Sequence, residues 1–208
     1  MEQVQEFPYP VQAVVDLASN FSRKHFEYAV TQCRNTISHF IADDNSSEQS
    51  EQQISRIRIL RYVDFQLSRA VRWFDQEADL MALVLRSLIE LRFWADFVSQ
   101  KNENADHFLK EATADAKEIY ERLVNAFPEG TTKLEIDPVV KRVNTIRFGE
   151  EEEFLHKVCS KFIHPTSLVL ENPEGTILND GYRKVFAVKV IFYAWGLIET
   201  FHTISWIE

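Results

Sequence analysis

An all-α helical bundle is the fold class this chain predicts, and three observations predict it. The 208 residues include only 5 Gly and 6 Pro, with long stretches between them, which favours uninterrupted helices over the turn-rich pattern of a β-sandwich. Hydrophobic residues make up 45% of the chain, 16 of them Phe, enough for a substantial core. Several segments repeat their apolar residues at the 3.6-residue helical period, and neither an internal repeat nor a second core interrupts them. Residues 1–208 are therefore expected to form one α-helical bundle domain.

The elements follow in order. Pro8 and Pro10 keep the first ten residues extended, and Val11 to Ala42 reads as one long helix with Phe26, Val30, Cys33, Ile37 and Phe40 or Ile41 on one side. The run 43–53, DDNSSEQSEQQ, has no apolar residue to bury and is expected to be a mobile loop. From about Gln52 to Gln76 a second helix carries Leu60, Val63, Leu67, Ala70, Val71 and Phe74 as its core stripe. The third, Leu80 to Phe97, is apolar around nearly its whole circumference and belongs in the middle of the bundle. A more polar helix from about Ala105 to Ala126 covers the central pair, and residues 127–138, with Pro128, Gly130 and Pro138, form an irregular excursion.

A short helix over Val139 to Ile146 precedes Gly149. Glu150 to Ile163 then forms a helix with Leu155, Val158, Cys159 and Phe162 inward, which Pro165 stops because the residue before proline avoids helical geometry. The segment 167–179, SLVLENPEGTILN, places two short apolar runs around Asn-Pro-Glu-Gly and is expected to be a small hairpin. Tyr182 to Ile207 is the last helix, apolar nearly all round and packed beside the central one.

Composition also bounds function. Net charge is 23 − 32 = −9, which opposes broad attraction to nucleic acid but leaves room for local basic patches. Two distant cysteines, Cys33 and Cys159, do not make a disulfide framework, and with no signal-peptide-like start a cytoplasmic location is expected. The most membrane-like run, Val185 to Ile198, contains Lys189 and falls short of the ~20 residues a span needs, so no membrane role is expected. The chain has no Gly-rich phosphate loop, Cys-x-x-Cys pair, nucleophile elbow or His-Glu-x-x-His helix; no cofactor and no metal are expected.

Chemistry concentrates at three places. Arg86 and Glu90 lie one turn apart among Ala82, Leu83, Ile89, Phe93 and Phe97, with Arg92, Asp96 and Ser99 on a separate strip facing out. As a surface pair they contribute about 0.2–0.5 kcal/mol; if buried, loss of one member costs roughly 3–5 kcal/mol through the stranded charge. His164 ends a helix beside Ser160 and Lys161, where the helix C-terminus favours a protonated imidazole suited to acid–base or phosphate contact; a simple capping role is the alternative. A metal site at His156, Cys159 and His164 is disfavoured because Cys159 points to the core side and the histidines do not. On the second helix Arg58, Arg61, Arg69 and Arg72 share a face with Tyr62 and Phe65, a combination that binds phosphate and stacks on bases, or else a solvated face with salt bridges.

Two segments, LRSLIELRFW at 85–94 and EFLHKVCSKFIHPTS at 153–167, carry an Arg-x-x-x-Glu on a central helix followed by a Ser-x-x-x-His-Pro-Thr helix end. In this order they resemble bacterial helical proteins related to abortive-infection families of the HEPN superfamily, over roughly residues 55 to 205. By position the motif residues are Arg86, Glu90, Ser160, His164, Pro165 and Thr166. The resemblance implies a HEPN-like bundle, often dimeric, acting on RNA in phage defence or beside a cognate antitoxin, with Arg86, Glu90 and His164 in one cleft. No arginine stands four to six residues before His164; Lys157 and Lys161 are the nearest cations. Arg34-Asn35 with His39 is similar to the Arg-polar-(x)n-His signature of HEPN ribonucleases and makes a second candidate pair. A non-catalytic interaction or dimerisation protein, using the arginine face and the last helix, is the competing reading.

Overall fold

The computed structural model describes residues 17–43, 49–111, 149–164 and 166–204, and among them there are helices and no strands. We label α1 (Arg23–Asp43), α2 (Glu51–Trp73), α3 (Ala78–Gln100), α4 (Glu150–Ile163), α5 (Ser167–Glu171), α6 (Pro173–Ile177) and α7 (Asp180–Ile204); residues 102–111 are also helical. Expected features at 1–16, 44–48, 112–148 and 205–207, including the excursion 127–138 and the helix 139–146, lie outside the described residues.

The expected central helix is central. α3 packs most extensively on α7, then on α4 and α2, while α1 lies against α2 and α7. Its Met81, Ala82, Val84, Leu85, Leu88, Ile89, Ala95 and Val98 are buried, which explains the nearly continuous apolar circumference: it has neighbours on three sides. Ring contacts join the layers, with Phe26 of α1 stacked 4.9 Å from Phe74 and Phe162 of α4 edge-on to Phe186 of α7 at 5.0 Å. Arg183 Nη1 donates to the Gln76 carbonyl at 2.9 Å, and Arg23 pairs with Asp75, so the turn between α2 and α3 is held from both sides.

Three expectations need correction. The first long helix is interrupted at 20–22, where the Ser22 hydroxyl accepts from the His25 amide at 3.4 Å and the His25 ring accepts from the Ser22 amide, a reciprocal cap that starts α1 afresh. The polar run 43–53 does not stay irregular to its end. Ser50 and Gln53 form a capping box, with Gln53 N–H donating to Ser50 Oγ at 3.2 Å and Ser50 N–H to Gln53 Oε1 at 2.8 Å, so α2 begins at Glu51. Finally, 167–179 is not a hairpin but the helices α5 and α6. Asn172 caps α6 by accepting from Gly175 N–H at 3.0 Å, and Pro173 occupies its first turn, where a missing N–H costs nothing.

The helical stretch Pro173–His202 is long and apolar enough, by length and composition, to cross a membrane. A core helix can have the same length and composition, and 61% of the most apolar part of this stretch is buried inside the bundle. Lys189, within it, is buried and paired with Glu151 of α4.

Candidate functional site

α4 brings the chemistry to α3. Its bounds, Glu150 to Ile163, are those the sequence predicts: Gly149 stands at the N-cap, four glutamates fill the first turn where the helix dipole favours anions, and His164 is the C-cap. The inward side, Leu155, Cys159 and Phe162, is buried against the bundle. That docking fixes where His156 and His164 go.

Arg86 Nε donates to Glu90 Oε1 at 2.9 Å, one turn along α3. Arg86 Nη1 lies 3.5 Å from His164 Nε2, and His156 Nε2 lies 3.0 Å from the same Glu90 Oε1. The four side chains thus form one chain of contacts, His164–Arg86–Glu90–His156. Since Glu90 follows Arg86 while its partner His156 precedes His164, α4 runs antiparallel to α3 at this contact. None is sealed: the side chains of Arg86, Glu90 and His156 are 29%, 39% and 22% exposed, and His164 is open to solvent.

A guanidinium N–H can only donate, so a hydrogen bond from Arg86 to His164 requires a lone pair on His164 Nε2. A carboxylate can only accept, so His156 Nε2 carries a proton towards Glu90. The arrangement sets two imidazoles, groups that can take up or give a proton, at either end of an arginine–glutamate pair.

His156 is the residue that sequence reasoning missed as part of this cluster. Considered only with Cys159 as a metal ligand, it turns instead to a carboxylate 66 positions earlier. Cys159 does face the core, and burial pushes its thiol up to about 12 despite the nearby Arg86. No group of three or more His, Cys, Asp or Glu able to hold a metal occurs among the described residues.

The other candidate residues divide. Ser160 Oγ donates to the His156 carbonyl at 2.7 Å and Thr166 Oγ1 to the Lys161 carbonyl at 3.0 Å, so both hydroxyls brace the end of α4, while Lys161 is exposed. Arg34 and His39 do not form a pair. Arg34 grips Asp64 of α2 through Nε at 2.6 Å and Nη2 at 3.3 Å, and five residues of helix turn His39 about 140° away from it. On α2, Arg58, Arg61 and Arg72 are exposed with Tyr62 and Phe65, whereas Arg69 lies over the Trp73 ring at 4.3 Å and the Phe65 ring at 5.6 Å.

A second polar cluster adjoins the first. Arg92 pairs with Asp96 at 3.5 Å, and the Arg92 side chain is mostly covered rather than turned outward. Burial pushes the Tyr193 hydroxyl up, reinforced by Glu152 and Glu151 and opposed by Arg92. Asp96 is raised by burial and lowered in part by Arg92. Lys189 of α7, held by Glu151, pins α4 to α7. No family model, curated protein or solved structure matches this chain.

Proposed function

We propose that the chain binds RNA and cuts its backbone by side-chain acid–base chemistry at the junction of α3 and α4. The observation that carries the reading is the unbroken contact chain His164–Arg86–Glu90–His156, partly open to water, with two imidazoles flanking an arginine–glutamate pair. The resemblance of the Arg-x-x-x-Glu and Ser-x-x-x-His-Pro-Thr segments to HEPN-superfamily proteins of phage defence points to the same substrate class.

In this mechanism Arg86 turns from His164 to a phosphate oxygen, which frees His164 Nε2 to take the proton from a ribose 2′-hydroxyl. The 2′-oxygen forms a bond to phosphorus, the bond from phosphorus to the 5′-oxygen breaks, and His156, entering the step as the imidazolium, delivers its Nε2 proton to that leaving oxygen and is left neutral. The products are a 2′,3′-cyclic phosphate end and a 5′-hydroxyl end. Glu90 orients both Arg86 and His156 and does not itself touch the substrate.

The test is incubation of the wild-type chain with total RNA beside His164→Ala, His156→Ala and His39→Ala. Cleavage should leave cyclic phosphate ends, fall by on the order of 10²–10⁴-fold in the first two variants, and persist in the third. Cleavage indifferent to His164 and His156, or equal on RNA lacking free 2′-hydroxyls, overturns the proposal.

A further inference from the structure

The outward face of α2 is organised beyond what an ordinary solvated helix requires. Arg58, Tyr62, Phe65, Arg69 and Arg72 follow one another at alternating spacings of four and three, so they make a single stripe along the helix. Tyr62 and Phe65 are 44% and 53% exposed with ring centroids 6.0 Å apart, and Arg61 flanks them in the open. Arg69 is no free cation: its guanidinium is sandwiched between the Phe65 and Trp73 rings and donates to Gln66 Oε1 at 3.3 Å. It stiffens the aromatic row and leaves Arg58, Arg61 and Arg72 to face outward.

Charge selects the occupant. α2 carries five arginines against two acids, Glu51 and Asp64, in a chain whose net charge is −9. Asp64 is already held by Arg34, and Asp75, just past the helix, by Arg23, so α1 removes the carboxylates that would otherwise offset the stripe. Among the described residues α2 packs on α1, α3 and α7, and no element covers this face.

We propose that this face of α2 is a track for single-stranded RNA, with bases lying over Tyr62 and Phe65 and phosphates paired with Arg58, Arg61 and Arg72. From Arg58 to Arg72 the helix rises about 21 Å, which spans about four to six nucleotides at 3.4 Å or more each. The choice of RNA rests on the functional reading above; the surface itself does not depend on the α3–α4 cluster being catalytic. Every base offers a ring face to an aromatic side chain, so the track is indifferent to sequence and prefers unpaired strands.

The experiment measures binding of a fluorescent 2′-O-methyl oligouridine, which cannot be cut by 2′-hydroxyl attack, to the full chain at several salt concentrations. Arg58→Gln/Arg61→Gln should weaken binding and flatten the slope of log affinity against log salt by about one to two. Tyr62→Ala/Phe65→Ala should weaken it on the order of tenfold or more with the slope kept. Circular dichroism of each variant confirms that these exposed substitutions leave the helices intact. Wild-type chain that does not bind the oligomer, variants that bind like wild type, or a wild-type dimer that the same substitutions dissociate each overturn the track, the last by making the face a self-interface. Binding through the face without any cutting of RNA supports the track while sinking the cleavage proposal, so the two fail separately.

Discussion

Replacing Glu90 by Gln keeps the shape of the side chain and removes a charge that serves two partners, Arg86 at 2.9 Å and His156 at 3.0 Å. Two magnitudes compete for the outcome. A stranded buried cation would cost roughly 3–5 kcal/mol, while an exposed helical pair contributes about 0.3–0.5 kcal/mol. Exposure decides between them: water reaches Arg86, Glu90 and His156, so the desolvation that makes stranded charges costly is mostly absent. Two screened contacts then total about 1 kcal/mol or less, which for a chain of this size lowers Tm by about 2–4 °C at most. Urea denaturation of wild type and Glu90→Gln followed by far-UV circular dichroism at pH 7 measures the difference. A loss of 3 kcal/mol or more, the figure for a sealed pair, would refute the argument. It would mean that Arg86 is a structural pin that cannot be lent to a phosphate, and the cleavage mechanism would lose its cation.

The two cysteines make a sharper probe of packing. Burial pushes both Cys33 and Cys159 up to about 12, so at pH 8 a thiol reagent should label neither in the native chain and both at the rate of unfolding; fast native labelling of Cys159 would show that α4 does not dock as described. Ser50→Ala breaks the capping box at the start of α2 and should cost about 1 kcal/mol, read by the same urea titration, with no change in RNA cleavage. Asp180 is held below its ordinary value of 3.8, first by the Lys184 hydrogen bond and then by Arg183. A depressed carboxylate stabilises the fold above its unfolded pKa and loses that contribution as pH falls through the folded value, so the start of α7 should loosen only below about pH 4. Asp180→Asn should remove that part of the acid dependence, seen as amide exchange at 182–186 that no longer accelerates over this range.

Local signals carried the sequence reading wherever one segment contained its own explanation. Gly149, the run of glutamates and Pro165 bound α4 without reference to anything else, and the apolar circumference of 80–97 placed α3 at the centre. The hairpin expected at 167–179 failed on equally local grounds, because Asn-Pro followed by Glu and Gly is an N-cap with proline in the first turn as well as a turn signal, and short apolar runs do not choose between strand and helix. Ser50-x-x-Gln53 was legible too, and was hidden only by the polar run around it. Pairings across the bundle are a different matter. Arg34 meets Asp64 and Glu90 meets His156 only once helices have docked, and periodicity reports which side a residue is on without naming the opposing helix or its register.

Register is also what makes arginine, rather than any cation, the hinge of the candidate site. His156 and His164 are eight residues apart, about 12 Å along α4, whereas Arg86 and Glu90 are separated by about 6 Å along α3. Antiparallel docking that seats His156 on Glu90 therefore leaves His164 a turn beyond Arg86. A long side chain with separate donors closes that gap: Arg86 holds Glu90 with Nε and reaches His164 with Nη1. Lysine, a point donor on a flexible stem, can sit at one end or the other but cannot hold both with a fixed fork. Recognition of this site thus depends on the distance between two histidines on one helix matched against the reach of a single arginine on another.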